Sequence, residues 1–384
     1  MKILMLASGT VHSSLSNRML AFAREFVRTG HDVTIIAPAR DKYSDFKPDN
    51  EKSIDGINLI YPCQFKTTSF VLNLVPYLLS CFGHVMRTKA DVVYICKPTP
   101  ITVPGLFAKW VKRTPVVADF DDLGSEVMKI ERQPWMVYSL VAVCERLVAR
   151  NANAIVAAST LLYREYHENY PTKPIIRVPN GVDPKEFVVT PPRNEPHIIF
   201  IGAFNRTQII QPLIEALPAV IKATPGQSVH LDFHGDGTYR KHFEHRAKEL
   251  GINGNITFYG WTKHSDLPKY AAKGDLGICA MPNNRTTIAC SNQKLFEYMA
   301  LGLCVVASNI GDLPGYLNNG DSGVIVESLD SGLMADALID LLKDSKKRQQ
   351  LASNARSQAE TTYSWETLAG QCIALIREIT GATK

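Results

Sequence analysis

The sequence predicts an α/β protein built from two doubly wound, parallel-sheet domains. Predicted strands and helices alternate along most of the chain, which is typical of this class. Several strands are continuous apolar runs, as expected where helices cover both faces of a parallel sheet. At 384 residues the chain is large for one hydrophobic core, and a proline-rich segment at 191–196 separates two runs of the alternation.

The first half begins with a strand at 2–7 and a loop that we expect at a ligand-binding sheet edge. Gly9 lies in this loop, where the missing Cβ would let the backbone approach a bound group. No Gly-x-Gly-x-x-Gly follows, so the sequence lacks a dinucleotide-binding fingerprint. Further strands are predicted at 33–37, 58–61, 91–96, 115–119, 154–158 and 175–178, with helices near 14–29, 70–88, 102–113, 133–152 and 159–169.

The second half restarts the alternation after the proline-rich segment. Strands are predicted at 198–201, 229–234, 256–260, 276–280 and 304–308, with helices at 209–223 and within 331–360. A short helix is predicted between Ser291 or Asn292, either of which is a good N-cap, and Gly302, a typical helix stop.

This short helix places two polar side chains off its apolar stripe. Leu295, Phe296 and Met299 follow helical spacing, whereas Lys294 and Glu297 do not. Glu297 would lie about 7.5 Å along the axis from the Asn292 end, close to the separation of a nucleotide's diphosphate and ribose. Helix amides favour phosphates and a carboxylate accepts hydroxyl protons, so nucleotide binding is one interpretation. A capped core helix with a solvated Glu297 is the other.

The densest carboxylate cluster is Asp119-Phe-Asp-Asp, which follows the strand predicted at 115–119. Asp121 and Asp122 would orient the hydroxyl groups of a ligand opposite a cationic face. Alternatively, one of them caps the amides of a following helix. We expect no metal site here.

Composition indicates an ordinary globular protein with 45% hydrophobic and 21% charged residues. The eight cysteines lack metal-ligand spacing and mostly lie in apolar runs, as expected for reduced core residues of a cytoplasmic protein. No apolar run is long enough to span a membrane, and no basic-aromatic module for nucleic acid is present.

Residues 66–113 combine apolar runs with seven basic residues and the single acid Asp91. This pattern favours a peripheral membrane face or a lipid-pyrophosphate acceptor site, equally with a buried helix that has solvated basic flanks.

The motifs resemble those of the retaining GT-B glycosyltransferases of family 4. Lys294-Leu-Phe-Glu-Tyr-Met-Ala300 is similar to the nucleotide-sugar-binding helix of this family, and Pro179-Asn-Gly-Val-Asp183 to its hinge motif. Gly235-Asp236-Gly237 is similar to the turn beneath the nucleotide, and Gly260-Trp261 to the turn that meets the base. The resemblance implies two Rossmann-like domains, 1–188 for the acceptor and 189–362 for the donor, with a helix at 363–384 crossing back to the first.

The resemblance also implies site roles. Arg206 and Lys294 would neutralise the diphosphate, and Asp121 and Asp122 would position sugar or acceptor. Gly9, Gly235, Asp236, Trp261, Asn292 and Glu297 would bind the donor, although a packing role for Trp261 is as reasonable. The sequence departs from the family pattern at Ala203 and Gln208, where relatives carry cations, and at Ala289, where relatives carry a first Glu.

The implied activity is transfer of a sugar, with retention, from a nucleoside-diphosphate sugar to an acceptor hydroxyl. The donor would be a UDP- or GDP-sugar, the acceptor a glycan or a lipid-linked glycan, and no cofactor or metal would be needed. The reaction would serve cell-surface polysaccharide or glycolipid assembly in the cytoplasm, at the inner membrane face. A nucleotide-sugar epimerase of the same fold, or an inactive scaffold, are the alternatives.

Overall fold

The computed structural model describes residues 1–13, 16–39, 52–63, 70–187, 189, 197–204, 210–262, 266–271, 274–327 and 330–382, with backbone alone at 70–73, 267 and 271. The strands are β1 (Lys2–Leu6), β2 (Asp32–Ile36), β3 (Ser53–Ile54), β4 (Ile57–Ile60), β5 (Val92–Cys96), β6 (Val116–Phe120), β7 (Ala154–Ala157), β8 (Ile175–Arg177), β9 (His197–Ile201), β10 (His230–His234), β11 (Ile256–Gly260), β12 (Leu276–Cys279), β13 (Cys304–Ser308) and β14 (Gly323–Val326). The helices are α1 (Asn17–Arg28), α2 (Phe70–Arg87), α3 (Leu106–Lys112), α4 (Gly124–Ile130), α5 (Trp135–Asn151), α6 (Thr160–Asn169), α7 (Gln211–Ala223), α8 (Arg240–Glu249), α9 (Leu267–Ala271), α10 (Arg285–Ala289), α11 (Gln293–Leu301), α12 (Leu313–Tyr316), α13 (Ser331–Lys343), α14 (Ser345–Thr361) and α15 (Trp365–Thr380).

The described chain forms two compact units. Unit 1 comprises residues 1–180, 289–291 and 365–384, and unit 2 comprises 181–288 and 292–364. The chain first leaves unit 1 after Asn180, several residues before the proline-rich segment, which lies outside the described residues. Helix α15 belongs to unit 1, where Trp365 and Cys372 enter the core.

Unit 1 is a doubly wound sheet in the order β3-β4-β2-β1-β5-β6-β7-β8, and all described pairings except β3 with β4 are parallel. Successive side chains of a strand point to opposite faces, so β5 contributes to two separate cores. Val92 and Tyr94 join the core under α1 and α15, whereas Val93 and Ile95 join the core under α2, α3, α5 and α6.

Unit 2 is a parallel six-stranded sheet in the order β11-β10-β9-β12-β13-β14. Helices α7, α8 and α13 pack on one face, and α11, α12 and α14 on the other. The predicted fold class is therefore confirmed, and each predicted strand is present within one or two residues.

Several short elements were not predicted. Helix α4 has only seven residues and buries none of them, so it is too short for an apolar stripe to be recognised. Helix α8 is almost wholly polar and buries only Phe243 and Ala247. Neither helix could be recognised from apolar periodicity.

Six of the eight cysteines are buried, as expected of core residues; Cys290 is partly buried and Cys63 is exposed.

Candidate active site

Helix α11 runs from the carboxyl edge of the unit 2 sheet and is buried on all sides. Every residue from Lys294 to Leu301 is buried, including Lys294 at 7% and Glu297 at 3% exposure. The solvated Glu297 of the alternative interpretation is therefore wrong, because the Glu297 side chain is buried; the apolar residues of α11 pack against α14 as well as the sheet. Gly302 ends the helix in the left-handed region at φ 71°, as predicted.

The amino end of α11 differs in detail from the predicted cap. Asn292 is the N-cap residue, but its side chain makes no capping bond and instead donates to the sulfur of Met281 at 3.1 Å. Ser291 is engaged in unit 1, where its Oγ accepts from the backbone N–H of Asn180 at 2.8 Å. Asn292 therefore does not cap the first turn with its own side chain, and this end of the helix dipole favours anions.

Lys294 lies against the turn that follows β9. Its Nζ is 4.3 Å from the centre of the Phe200 ring. A Cβ on Gly202 would lie 3.3 Å from the same Nζ atom. Glu297 is one turn further along α11, so both polar groups lie on one side of the helix. Arg206, the other predicted diphosphate ligand, lies outside the described residues.

The glycines at 235 and 237 are required by contact between two loops. A Cβ on Gly235 would lie 1.9 Å from the Gly202 oxygen, and one on Gly237 would lie 2.5 Å from the Phe204 oxygen. Asp236 braces the same turn, since its carboxylate accepts from the Gly237 N–H at 2.7 Å and pairs with Arg240 at 3.3 Å. Packing thus accounts for both glycines, and donor binding by Gly235 and Asp236 stays a prediction.

Tyr298 joins α11 to the end of β9, a contact that the sequence did not predict. Its hydroxyl accepts the backbone N–H of Ile201 at 2.8 Å. A Cβ on Gly277 would lie 2.6 Å from the Tyr298 ring, so only glycine leaves space for this tyrosine. A glycine inside an apolar strand often marks such a close approach, and Gly277 was the available signal.

Trp261 follows β11 and is 74% exposed, so a packing role for it is wrong. Neighbouring Tyr259 stacks on His234 at 4.5 Å between ring centroids, with the planes 5° apart. Trp261 is therefore available to a ligand at the carboxyl edge of the unit 2 sheet.

In unit 1, the carboxylate cluster faces Lys97, one of the seven basic residues between 66 and 113. Strands β5 and β6 are parallel neighbours, so the residues after them meet at one edge. Lys97 Nζ lies 3.0 Å from Asp121 Oδ2 and 3.1 Å from Asp122 Oδ2. The capping alternative for these carboxylates is wrong, because Leu123 is the N-cap of α4 and it is Glu145 that accepts the first-turn N–H of Ser125, at 3.1 Å.

The two carboxylates differ in exposure. Asp121 is 8% exposed, and its Oδ1 has no hydrogen-bond partner among the described residues. Burial raises the pKa of Asp121 to about 6; Lys97 opposes this rise and Asp122 adds to it. The Asp122 side chain is 26% exposed, so Asp122 is the more accessible of the two carboxylates.

Lys97 adopts a left-handed backbone conformation with φ 50°, which is costly for a residue with a side chain. Burial disfavours its charge, but Asp121 and Asp122 outweigh burial and raise the pKa of Lys97. The strained lysine thus fixes both carboxylates.

Behind this cluster lies a buried ion pair between Arg18 and Asp119, 3.0 Å apart. Arg18 also donates to the backbone oxygens of Val178 and Pro179, each at 2.8 Å. Gly9 is buried at the same sheet edge, and its carbonyl accepts from Ser16 Oγ at 3.3 Å. Donor binding by Gly9 stays a prediction.

Two family models match the chain in tandem. "Glycosyltransferase Family 4" matches residues 15–186, and "Glycosyl transferases group 1" matches residues 182–358. Spore coat protein SA of Bacillus subtilis is 24% identical over 46% of this chain, and that match spans about half (48%) of its own length. The phosphatidyl-myo-inositol mannosyltransferase of Mycolicibacterium smegmatis is 23% identical over 97% of this chain and 92% of its own.

Solved structures share the fold. Sucrose-phosphate synthase of Thermosynechococcus elongatus matches with a TM-score of 0.78 at 17% identity, over 100% of both chains. HepE of Anabaena, solved in complex with UDP and glucose, matches with a TM-score of 0.75 at 19% identity, over 98% of this chain and 100% of its own.

Taken together, the fold and the two family matches define a GT-B glycosyltransferase. It is of the family-4 type.

Proposed function

We propose that this glycosyltransferase moves a sugar, with retention, from a UDP- or GDP-sugar to an acceptor hydroxyl in polysaccharide or glycolipid assembly. The observation that carries the proposal is the placement of Lys294 and Glu297 one turn apart on α11, with Lys294 against the turn after β9. A cation at a helix amino end suits a diphosphate, and a carboxylate one turn later suits a ribose diol.

In this mechanism the leaving diphosphate does most of the chemistry. Lys294, the amides of α11 and Arg206 stabilise the negative charge that develops as the glycosidic bond to the diphosphate breaks. A diphosphate oxygen then takes the acceptor proton as the acceptor oxygen bonds to the anomeric carbon on the same face. A separate general base is not needed.

Asp122 positions the sugar or the acceptor hydroxyl, with Lys97 and Asp121 holding it in place. We propose that the reaction is independent of metal. Lys97 supports this, because its ammonium lies between the two carboxylates where a cation would otherwise bind. In the described part of the chain, no group of three or more His, Cys, Asp or Glu side chains is arranged to hold a metal.

The acceptor would be a glycan or a lipid-linked glycan at the inner face of the membrane. The protein would contact the membrane through residues 66–113, of which 66–69 lie outside the described residues. Trp110 and Val111 of α3 support this contact, because both are exposed beside basic residues. No helix among the described residues is both long and apolar enough to cross a membrane.

Calorimetric titration of UDP, GDP, dTDP and ADP, with and without EDTA, tests the donor site. We expect selective binding of UDP or GDP that EDTA does not change. Loss of binding in EDTA would contradict metal independence, and no binding of any diphosphate would contradict the transferase proposal. Incubation with the matching nucleotide-sugar alone should give only slow hydrolysis, whereas conversion of the sugar would indicate an epimerase.

A further inference from the structure

Helix α11 is fastened at its amino end to the segment by which the chain enters unit 2. This entry segment, residues 181–187, belongs to the same unit as α11. Gln293, the first residue of α11, donates from its side-chain nitrogen to the Gly181 carbonyl at 2.7 Å. The two residues are 112 positions apart in the sequence, so folding and not chain connectivity brings them together.

The entry segment also packs beside α11. Val182 and Phe187 are 1% and 4% exposed, and both share one hydrophobic core with Met299 of α11. Two residues past the segment, Val189 reaches the carboxyl end of the helix, where a Cβ on Gly302 would lie 3.2 Å from Val189 Cγ1. The chain therefore follows α11 from its first turn to its stop.

Arg356 of α14 completes this arrangement at the carboxyl end of α11. Its Nη1 donates to the carbonyl of Ala300 and, at 2.9 Å, to the carbonyl of Phe187. Its Nη2 donates to the Pro184 carbonyl at 3.1 Å, and its Nε lies 2.6 Å from the Glu360 carboxylate. One guanidinium thus joins the last turn of α11 to two carbonyls of the entry segment.

An arginine suits this position better than any other side chain. The last four carbonyls of a helix have no partner within the helix, and the helix dipole favours a cation beside them. Arginine carries five N–H donors in a planar fork, whereas the single ammonium of lysine cannot reproduce that geometry. The Arg356 side chain is only 21% exposed, so these bonds are largely shielded from water.

We propose that Arg356 is a positioning residue of the donor site, which holds α11 in register with the entry segment and thereby sets the position of Glu297. Ala300 follows Glu297 by three residues, which is less than one helical turn. A shift of the Ala300 carbonyl would therefore move Glu297 with it. The proposal rests on the proposed function, because it requires that α11 hold the donor nucleotide.

Helix α14 also provides a matched control. Arg348 is 7% exposed, and its Nη1 donates at 2.6 Å to the carbonyl of Leu341 in the last turn of α13. Arg348 thus fastens a helix end as Arg356 does, but α13 packs on the opposite face of the sheet from α11. Loss of Arg348 should lower stability without moving the donor site.

Calorimetric titration of UDP and GDP tests the proposal. We expect Arg356→Gln to bind the preferred diphosphate about tenfold more weakly than the wild type, because a displaced Glu297 loses its alignment with the ribose. Arg356→Lys keeps the charge but not the fork, and should bind about threefold more weakly. Arg348→Gln should lower the Tm by a few degrees, as Arg356→Gln does, and bind as the wild type does.

A double-variant cycle shows whether Arg356 acts through Glu297. Once Glu297 is replaced, its position no longer matters, so Arg356→Gln/Glu297→Gln should bind little more weakly than Glu297→Gln alone. Fully additive losses of affinity would overturn the proposal.

Two further results would also overturn it. One is wild-type affinity in a folded Arg356→Gln protein or, should that variant not fold, in Arg356→Lys. The other is equal weakening in Arg348→Gln, since lost stability would then account for the effect.

The wild type separates this proposal from the proposed function. A wild type that binds UDP or GDP, with the same affinity in the Arg356 variants, would reject the role of Arg356 alone. A wild type that binds neither would contradict the proposed function, and the role of Arg356 with it.

Discussion

At the scale of single residues, the adjacent carboxylates Asp121 and Asp122 have different environments. Asp121 is buried against Lys97, whereas Asp122 shares the same lysine and remains partly exposed. The sequence predicted the pair but could not separate their roles, because burial here depends on how β5 and β6 pair. Lys97 could be recognised as a partner of these carboxylates only from the pairing of β5 with β6, which brings the residues after the two strands together.

Replacing Asp122, the more exposed of the two carboxylates, should impair turnover more than folding. We expect Asp122→Asn to lower kcat at least tenfold while the Tm changes by only a few degrees, because Lys97 keeps Asp121 as a partner. Steady-state kinetics and thermal unfolding measure both. The control is Glu131→Gln, which changes an exposed acid just after α4 and should leave both kcat and Tm unchanged. Full activity in Asp122→Asn would contradict the assignment.

The raised pKa of Asp121 predicts a pH effect with a definite sign. Its folded pKa of about 6 exceeds the ordinary value of 3.8, so the folded protein binds this proton more tightly than the unfolded chain. Its contribution to stability is full below about pH 4 and is lost as pH rises through 6. Lys97, Asp122, Arg18 and Asp119 face this carboxyl and set its environment.

Asp121→Asn removes this titration. The Tm of the wild type relative to that of the variant should therefore rise as pH falls from 7 to about 4. Thermal unfolding by circular dichroism across this range measures the difference. A constant or falling difference would contradict the pKa assignment.

At the scale of elements, α11 is fixed by contacts on both of its sides. Its strand-helix-strand setting was predictable because apolar spacing and the Gly302 stop are local signals. The buried position of Lys294 was not, since it depends on Phe200 and Gly202, which are distant in sequence. Helix α4 escaped prediction for the opposite reason, because it buries nothing.

The contact between Gly277 and Tyr298 should be sensitive to one added methyl group. Gly277→Ala would push the Tyr298 ring away from Ile201 and cost about 1–3 kcal/mol of stability. Tyr298→Phe would leave the buried Ile201 N–H without its acceptor, at about the same cost. Both should lower the Tm and weaken diphosphate binding, as measured by thermal unfolding and calorimetry.

Gly254→Ala is the matched control, since a Cβ there meets nothing within 4 Å. It should behave as the wild type does. If Gly277→Ala behaved the same way, the close packing of α11 on β12 would be wrong.

At the scale of the whole molecule, the Arg18–Asp119 pair joins distant parts of the unit 1 sequence. Arg18 in α1 contacts Asp119 in β6 and the carbonyls of Val178 and Pro179, which precede the point where the chain leaves the unit. The two-unit fold followed from the alternation of strands and helices. This pair did not, because Arg18 belongs to no recognisable motif and lies 101 residues before Asp119 in the sequence.

Breaking this pair should destabilise unit 1 strongly. Arg18→Met leaves the Asp119 charge buried without its partner, at a cost of about 3–5 kcal/mol. Arg18→Met/Asp119→Asn removes that charge and should recover part of the loss. Denaturant unfolding measures both. A single variant as stable as the wild type would contradict the structural role of the pair.

The central claim is that α11 holds the donor nucleotide through Glu297. Calorimetric titration of the preferred diphosphate into Glu297→Gln tests it most directly, with the exposed Glu249→Gln on α8 as the control. We expect Glu297→Gln to bind about ten- to a hundredfold more weakly than the wild type, since hydrogen bonds to a charged carboxylate are lost. The control should bind normally. A folded Glu297→Gln protein with wild-type affinity and turnover would contradict the account.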